Sequence, residues 1–457
     1  MVHMKEGSRV MKKEKMLTGN VGSVLFFFAV PMIIGNLFQQ FYNMADSVIV
    51  GRYVGEDALA AVGASYSLTT VFIMIAIGGG IGASVLTSQY LGAGEYGKMK
   101  TSISTALISF LLFSIILAVF GFLWNEQILI ALKTPDNILK DAMRYLSIYF
   151  CGLPFLFMYN VLSAVFNALG KSMIPLLLLL FSSVSNVLLD LYMVRSLHMG
   201  VAGVAIATVI AQGISVVISF VILLFVLRDF SEQEATNTIY SIDMLRRGTR
   251  IAIPSIAQQS VVSIGMLLVQ SVVNGFGSSV LAGYSAGTRI ESVCIVPMIA
   301  TGNAVSTFTA QNLGAGQPKR VKKGYHAGLC MVGIFALVIA VILQVFHTGL
   351  IQIFLESGES VAALETGKRY LRFISLFFVL IGCKATTDGV LRGAGDVNVY
   401  MAANLANLSI RVLFARLGAP YFGVDAVWWA VPIGWGVNFL ISYLWYRTGH
   451  WQKKQVI

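Results

Sequence analysis

The stretch "TSQYLGAGEYGKMK", residues 87–100, has a close copy in "TAQNLGAGQPKRVKK", residues 309–323. The copies lie 222 positions apart, and each combines a Thr, a Gln and Leu-Gly-Ala-Gly with a following group of basic residues. Each copy also stands at the end of a long apolar segment. Because self-similarity at a fixed distance indicates a duplicated structural unit, we expect the whole chain to contain two related halves.

Three further pairs of segments keep the same order and nearly the same spacing. "AVPMIIGN" from residue 29 aligns with "AIPSIAQQ" from residue 252, and "YLSIYFCGLPF" from 145 aligns with "YLRFISLFFVL" from 370. "MGVAGVAIA" from 199 falls on "FGVDAVWWA" from 422. We therefore predict an N-terminal six-helix lobe with its tail in residues 1–228, a cytoplasmic linker in 229–250, and a C-terminal six-helix lobe in 251–457.

The composition is that of an integral membrane protein. Hydrophobic residues make up 57% of the chain, charged residues only 12%, and the mean hydropathy is +0.78. About twelve apolar runs have the roughly 20 residues that a transmembrane helix needs, and none alternates with period two. The prediction is an all-α protein with twelve transmembrane helices in two six-helix lobes around a central cavity.

The basic residues predict the orientation. The net charge is +11, which in a soluble chain would suggest nucleic acid, but here 20 of the 32 Lys and Arg fall on the side of the N-terminal tail and ten on the other. Because basic residues are retained on the cytoplasmic side, both termini are predicted to be cytoplasmic, with no nucleic-acid partner. Because six spans return the chain to the side of the membrane on which it began, the two halves are predicted to have the same orientation. Such parallel repeats are found in alternating-access transporters.

Motifs for nucleotides, metals and catalysis have weak or no support. "GAGEYGK", residues 92–98, is close to a phosphate-binding loop, but a strand is lacking before it and Met99 replaces the required Ser or Thr. Both Leu-Gly-Ala-Gly copies are better interpreted as helix ends with a glycine cap. The four cysteines lack metal spacing and are predicted to be buried, unpaired thiols. No cofactor, metal site or enzymatic activity is expected.

Acidic residues in or near the spans are the most informative candidates, because an intramembrane carboxylate is costly unless it is paired, hydrated or protonated. Asp46 follows the first span, and Asp190 lies in the fifth with Asn186 one turn earlier on the same face. The repeat alignment puts Val269 and Ala415 at the equivalent positions of the second half. Because these acids occur in only one of the two halves, a coupling-ion site is favoured. The structural alternative is that Asp46 pairs with Arg52 and Asp190 pairs with Arg195.

Other charged residues also interrupt the predicted spans. Lys384 and Asp388 are four residues apart in the tenth span, and Arg289 and Glu291 lie in the eighth. Such residues can neutralise one another in a helix bundle, so pairing is the favoured interpretation for both sets, and Lys384 and Asp388 also share one helix face. Contact with a substrate is the alternative for Lys384, Asp388 and Arg289.

The residues resemble one known family over about residues 17–450, the multidrug and toxic compound extrusion (MATE) transporters. The resemblance rests on "VPMIIGNLFQQFYNMADSVIVG" (30–51), the two copies "LTSQYLGAG" and "FTAQNLGAG", "FNALGK", "NVLLD" and "GTRIESVCIVP". The pattern of Pro31 with Asp46, and Asn186 with Asp190, looks like the DinF-type branch. The seventh span has no acid, and Ile381 stands where the tenth-helix acid of the NorM-type branch would be.

The resemblance implies a secondary antiporter of the cell membrane, a monomer that exports small amphipathic or cationic compounds in exchange for protons or sodium. Asp46, Asp190 and Asn186 would form the coupling-ion site, and the first helix would bend at Pro31. The candidate substrate-cavity residues are Gln39, Tyr42, Asn43, Arg289, Lys384 and Asp388.

Two other functions and one open question remain at this stage. A lipid-linked oligosaccharide flippase of related architecture would need a strongly basic cavity, for which only Arg289 and Lys384 are candidates. A membrane enzyme would need a convergent catalytic set, which the sequence lacks. Protons are favoured over sodium as the coupling ion because the NorM-type acids are missing, but the N-terminal carboxylates could bind either ion.

Overall fold

The computed structural model of the protein describes residues 15–132, 134–230, 238–355, 361–454 and 457. Among them, the side chains of residues 15, 45–48, 56, 57, 59 and 67 fall outside the described part. All regular secondary structure in the described ranges is helical. This agrees with the absence of any period-two apolar pattern in the sequence.

Eight α-helices belong to the first half of the chain: α1 (Lys15–Thr18), α2 (Val21–Tyr53), α3 (Glu56–Ala93), α4 (Tyr96–Leu123), α5 (Asn125–Ala131), α6 (Asp136–Ala168), α7 (Met173–Leu191) and α8 (Gly200–Arg228). Helix α7 continues into a π-helical turn at Tyr192–Ser196. Eight helices follow: α9 (Ile242–Asn274), α10 (Ser278–Cys294), α11 (Val296–Gly314), α12 (Pro318–Phe354), α13 (Val361–Ser375), α14 (Phe378–Gly393), α15 (Val397–Phe422) and α16 (Val424–Thr448).

Within the described residues, ten helical segments are long and apolar enough to cross a membrane. One of them, Ser278–Gly314, joins α10 and α11 into a single span. An eleventh span is the pair α13 and α14, which meet at a bend of 51°. Helix α15 has 26 residues, enough to span, but it contains Arg411 and Arg416 and is less apolar than the others. Together these segments correspond to the twelve predicted helices.

Glycine at a positive φ ends the helices of both Leu-Gly-Ala-Gly copies. Gly94 has φ 75°, its N–H donates to Leu91 O at 3.1 Å, and Glu95 N donates to Tyr90 O at 3.1 Å. Gly316 has φ 68° and is at the centre of the same pair of bonds. This is the Schellman arrangement, in which only glycine reaches the required φ without strain. The prediction that these motifs are helix ends is confirmed.

The cysteines are unpaired, as predicted, but only partly buried. Cys294 and Cys383 are half-buried, whereas Cys151 and Cys330 are exposed on their helices. The expectation of burial was wrong for the exposed pair because an apolar face of a spanning helix can lie on the outer surface of a helix bundle, where lipid replaces water.

The structure contains two compact units that differ from the predicted lobes at two helices. One unit consists of residues 34–256, and the other combines the described residues up to 33 with 257–457. The boundaries fall inside α2 and α9, two residues after Pro31 and two residues after Pro254. Each helix stays continuous through its proline. The two prolines are equivalent in the repeat, so the boundaries between the compact units lie at equivalent positions of the two halves.

Each unit has its own apolar core. In the unit of residues 34–256, a main cluster packs α6 against α3 and α5, with Phe150, Leu153 and Phe157 fully buried. In the other unit, one cluster surrounds Tyr370 and Trp428, and a second includes the start of α2 and Trp451 from the C-terminal turn. The polar groups described next are therefore held by packed helices.

Candidate functional site

Three helices of the unit formed by residues 34–256 meet at the Asn186 amide. When its nitrogen is oriented toward Tyr42 and Asp190, it donates to Tyr42 Oη at 2.7 Å and to Asp190 Oδ2 at 3.0 Å. The amide oxygen then accepts from Thr208 Oγ1 at 3.2 Å and Thr208 N at 3.1 Å. This orientation matches every donor with an acceptor. Asn186 thereby links α7 to α2 and α8.

The acid of this group is deeply buried. Asp190 is 0% exposed and Asn186 is 2% exposed, and both lie on one face of α7 because they are four residues apart. Arg195, the alternative partner considered from the sequence, has an exposed side chain in the π-helical turn. Asn186 and Asp190 are thus adjacent, as their spacing predicted.

The remaining first-helix candidates lie on α2. Tyr42 contacts the Asn186 amide, and the side chains of Gln39 and Asn43 are exposed. Asp46 follows Tyr42 by one turn within α2, but its side chain lies outside the described residues. The role of Asp46 therefore stays a prediction. Thr208 was missed from the sequence, since a threonine in an apolar helix gives no signal of its own.

The other unit contains a buried ion pair. Lys384 Nζ lies 3.0 Å from Asp388 Oδ2, and the side chains are 16% and 5% exposed. Ser442 donates to Asp388 Oδ1 at 2.6 Å, and Asn404 Nδ2 lies 3.5 Å from Asp388 Oδ2. The expected pairing of Lys384 with Asp388 is present. A carboxylate with two neutral donors and an ammonium is neutralised and well solvated by protein groups.

The second expected pair, Arg289 with Glu291, is not present among the ion pairs of the described residues. Glu291 accepts a hydrogen bond from Tyr370 Oη and lies within electrostatic range of Arg411, whereas the Arg289 side chain is exposed. Residues two apart point to nearly opposite sides of a helix, which is why Arg289 and Glu291 diverge. Arg411 lies inside α15 and is half-buried.

The repeat alignment makes these two sites directly comparable. At an offset of 225, Arg411 stands where Asn186 stands in the first repeat, and Ala415 stands where Asp190 does. Ala415 and Val269, the equivalent of Asp46, are 0% and 2% exposed within an apolar cluster. The acid-amide group is therefore confined to one repeat, and a cation occupies the matching place in the other.

Comparison with protein families gives a match to both halves of the chain. The MatE family model matches residues 31–192 and again residues 254–417. The two matches begin 223 positions apart at Pro31 and Pro254, and they end 225 positions apart. The chain belongs to the MatE family. Members of this family are transporters, so the predicted family and the prediction of a transporter instead of an enzyme are confirmed.

Named relatives of this MatE protein align over nearly its whole length. The probable multidrug resistance protein YpnP of Bacillus subtilis (strain 168) is 32% identical over 98% of this chain and 99% of its own. The FAD transporter of Shewanella oneidensis is 25% identical over 92% of each chain. The probable multidrug resistance protein NorM of Thermotoga maritima is 23% identical over 95% of this chain and 94% of its own.

Solved structures show the same fold. The outward-facing conformation of a multidrug resistance MATE family transporter of the MOP superfamily gives a TM-score of 0.88 at 23% identity, over 96% of this chain and 98% of that chain. A crystal structure of MATE in the bent conformation gives a TM-score of 0.88 at 22% identity, over 97% of this chain and 98% of that chain. The predicted all-α membrane fold with twelve helices in two lobes is confirmed.

Proposed function

We propose that this MatE protein is a secondary active antiporter that exports small amphipathic or cationic compounds in exchange for protons. The observation that carries the proposal is the buried carboxylate of Asp190, hydrogen-bonded to the Asn186 amide in one repeat and replaced by alanine in the other. A buried intramembrane acid is a functional candidate by default. Several relatives carry names for multidrug resistance or export, which supports the substrate class.

The proposed coupling step is a change of charge on two aspartates. Asp46 follows Tyr42 by one helical turn, and Tyr42 contacts the amide that holds Asp190. We expect both carboxylates to attract a cationic substrate from the inside when they are ionised. A proton arriving from outside neutralises one of them, the attraction weakens, and the substrate leaves outward. Return to the inward state releases the proton inside.

The conformational part of the proposal uses Pro31. Proline removes one backbone hydrogen bond of α2, so bending there is cheaper than elsewhere in the helix. The boundary between the compact units follows Pro31 by two residues, which supports a hinge at this place. Crystal structures of MATE exist in a bent and in a straight conformation. Protonation of the N-terminal carboxyls would shift the balance between two such states of α2.

Orientation and assembly follow from the same proposal. The chain would function as a monomer in the cell membrane with both termini in the cytoplasm, because the basic residues are concentrated on that side. Gln39, Tyr42 and Asn43 on α2 would contact the substrate, and Arg289 in α10 is a further candidate since its side chain is exposed. Contact of Lys384 and Asp388 with substrate stays a prediction.

Transport by purified protein in sodium-free liposomes tests the coupling. We expect a proton gradient directed against substrate movement to drive transport of a fluorescent organic cation, and Asp46→Asn and Asp190→Asn to remove the response to pH. Asp136→Asn, at an exposed acid at the start of α6, is the matched control and should behave as the wild type.

Sodium is the alternative coupling ion, and flavin nucleotides are an alternative substrate because one relative is named an FAD transporter. Transport that requires sodium and ignores the pH gradient would overturn proton coupling. Transport of FAD without any transport of organic cations would overturn the proposed substrate class. Both ions and both substrates can be compared in the same vesicle preparation.

A further inference from the structure

The segment 238–241, directly before α9, lies along one side of α4. Three side chains of α4 hold its backbone, through hydrogen bonds from Thr101 Oγ1 to Thr238 O (2.8 Å), from Ser104 Oγ to Ile239 O (2.5 Å) and from Ser241 N to Thr105 Oγ1 (3.1 Å). The three α4 residues lie three and four positions apart, so they form a polar stripe on one face of an apolar span. The apolar side chains nearby are left outside this contact, and Ile239 and Ile242 are each 70% exposed.

This part of α4 corresponds to the surface of the membrane. Helix α4 has 28 residues and is therefore about 42 Å long, roughly 12 Å more than the hydrocarbon core needs. Lys98 and Lys100 lie near its first residue, and the exposed Trp124 follows its last, so the excess length lies at the lysine end. Thr105 is about 13 Å along the axis from the start of α4. The segment 238–241 thus lies where the headgroups meet the hydrocarbon.

The first turns of α9 present a basic face away from the protein. On the other face, a Cβ added at Gly82 of α3 would lie 2.6 Å from Gly248 O and 3.0 Å from Ala252 Cβ, so α9 packs closely on α3 there. Arg246 and Arg250 are two residues to either side of Gly248, which places them nearly opposite this contact. Both side chains are exposed, and neither forms an ion pair or a hydrogen bond within the part of the chain that the structure describes.

The first repeat carries apolar or neutral residues at the equivalent places. At the offset of 223, Arg250 corresponds to Phe27 and Arg246 to Ser23. Phe27 is 72% exposed on α2, as suits contact with acyl chains, and Ile253, one turn after Arg250, is 65% exposed. The second repeat therefore has an arginine without a counter-charge on a surface otherwise suited to lipid, where an uncompensated charge is costly.

The chemistry of this surface fits a phospholipid with a net negative headgroup. Two guanidinium groups one helical turn apart can bind the oxygens of one phosphate through paired N–H groups. The acyl chains of the same molecule would cover the exposed isoleucines. Phosphatidylcholine offers the same phosphate, but its own cation offsets the charge. Inorganic phosphate would match the arginines and leave the isoleucines without a partner.

We infer that residues 238–253 form a binding site for an anionic phospholipid, which we call the α9 lipid site. The phosphate lies on two arginines and the chains lie along three isoleucines: Arg246, Arg250, Ile239, Ile242 and Ile253. In the proposed orientation this is the cytoplasmic leaflet. The binding itself depends neither on that orientation nor on the proposed transport function.

Occupation of the α9 lipid site has a consequence for the shape of α9. Arg250 lies four residues before Pro254, and the boundary between the compact units follows that proline by two residues. A lipid bound to Arg250 holds the first turns of α9 at the membrane surface. The headgroup composition of the membrane therefore affects how readily α9 bends at Pro254, where one backbone hydrogen bond is missing.

Binding of single lipids to the purified full-length protein is the direct test. Native mass spectrometry of the protein in detergent, titrated with phosphatidylglycerol or with phosphatidylcholine of the same chains, gives an affinity for each lipid. We expect phosphatidylglycerol to bind more tightly, with each arginine contributing about a fivefold difference. Arg246→Gln combined with Arg250→Gln should remove the preference. Both side chains are exposed, so the Tm of this variant should match that of the wild type.

Two further double variants separate charge from chain contact. Lys140→Gln combined with Arg144→Gln is the matched control, since it removes two exposed basic side chains at the same spacing from α6. This control should keep the preference for phosphatidylglycerol. Ile239→Ser combined with Ile242→Ser should weaken binding of both lipids alike, because contact with the chains does not depend on the headgroup.

Three results of these titrations would overturn the inference. The first is equal affinity of the wild type for the two lipids. The second is a loss of preference in the α6 control as large as that in the arginine variant of α9, which would attribute the effect to overall charge. The third is displacement of phosphatidylglycerol by an equal concentration of inorganic phosphate, which would make the arginines a site for a soluble anion.

Transport in vesicles with and without phosphatidylglycerol tests the consequence for α9. We expect phosphatidylglycerol to change the transport rate of the wild type and not that of the Arg246→Gln, Arg250→Gln variant. An identical response of the two proteins would overturn the effect on bending. Wild-type protein that transports nothing in either kind of vesicle would count against the proposed function and leave the result of the lipid titrations unaffected.

Discussion

The two repeats share a fold and differ in chemistry at equivalent places. In the first, Asp190 and Asn186 form a buried acid-amide group with Tyr42 and Thr208. In the second, Ala415 lies in an apolar cluster and Arg411 stands at the position of the Asn186 amide. A duplicated structure thus keeps its helix ends and prolines, which every copy needs to fold, while the buried polar groups diverge. Divergence at a buried polar position is the stronger indication of function, because packing alone would favour apolar residues.

The helix contacts of the repeats correspond but differ in closeness. In the second repeat, a Cβ at Gly389 would lie 2.3 Å from Gly302 O, and a Cβ at Gly302 would lie 2.5 Å from Ala385 O. In the first, a Cβ at Gly80, the equivalent of Gly302, would lie 3.2 Å from Ala164 Cβ. Ala164 is the equivalent of Gly389. The second repeat has therefore brought the same helix pair into backbone contact.

The largest effect is expected from removing the acid that distinguishes the first repeat. Asp190→Asn keeps the shape of the side chain but cannot change charge, so we expect coupled export to be abolished. Ala415→Ser, at the equivalent position of the second repeat, should retain export. Uptake assays in energised vesicles, with expression and folding checked for each variant, measure both. Equal losses at the two positions would mean that these residues serve folding and that the repeats do not differ in function here.

The next largest effect concerns the ion pair of the second repeat. Asp388→Asn leaves the Lys384 ammonium, 16% exposed, without its counter-charge, and breaking a buried pair costs about 3–5 kcal/mol. The first repeat has Tyr159 and Ser163 at these places, which bond to each other. Lys384→Tyr combined with Asp388→Ser should therefore recover most of the lost stability. Thermal unfolding in detergent measures the free-energy changes, and a double variant no better than the single one would contradict the equivalence.

A smaller effect on stability is expected from the helix contact. Gly389→Ala places a methyl group against the Gly302 backbone, which cannot move aside as a flexible side chain would, and overpacking of this kind costs about 1–3 kcal/mol. Ala164→Gly, the reverse change in the first repeat, removes a methyl group instead of adding one, so its cost should be about the 1 kcal/mol by which glycine is less favourable than alanine inside a helix. The Tm values of the two variants measure these two losses of stability. An unchanged Tm for Gly389→Ala would show that the helix contact at Gly389 is no closer than the one at Ala164.

The smallest effect is expected at the C-terminal segment. Asp396 is 0% exposed and accepts from Lys454 Nζ at 2.6 Å and from Trp445 Nε1 at 2.6 Å. Because Lys454 is half-exposed, water can replace its ammonium beside Asp396, and Trp445 still donates to that carboxylate; the cost should therefore stay near the roughly 1 kcal/mol of partly exposed pairs. Lys454→Ala should thus lower the Tm slightly, and less so at high salt. A loss of several degrees that salt does not reduce would assign the segment a larger structural role.

The membrane fold, the duplication and the family could all be predicted from the amino-acid sequence. Apolar runs of spanning length, two Leu-Gly-Ala-Gly copies and two prolines 223 positions apart are local or periodic signals, and local signals survive without knowledge of the packing. The spacing of Asn186 and Asp190 likewise predicted a shared helix face. The four-residue spacing of Lys384 and Asp388 also predicted their ion pair.

Which distant side chains meet could not be predicted from the sequence and is set by the packing of the helices. Thr208 reaches Asn186 from another helix, Glu291 bonds to Tyr370 instead of pairing with Arg289, and Arg411 of α15 interacts electrostatically with Glu291 of α10. The compact units also divide α2 and α9 internally, where no change in hydropathy marks a boundary. The physical reason is that hydropathy and periodicity report how one helix meets its surroundings, whereas the partners of a buried polar group depend on how several helices pack.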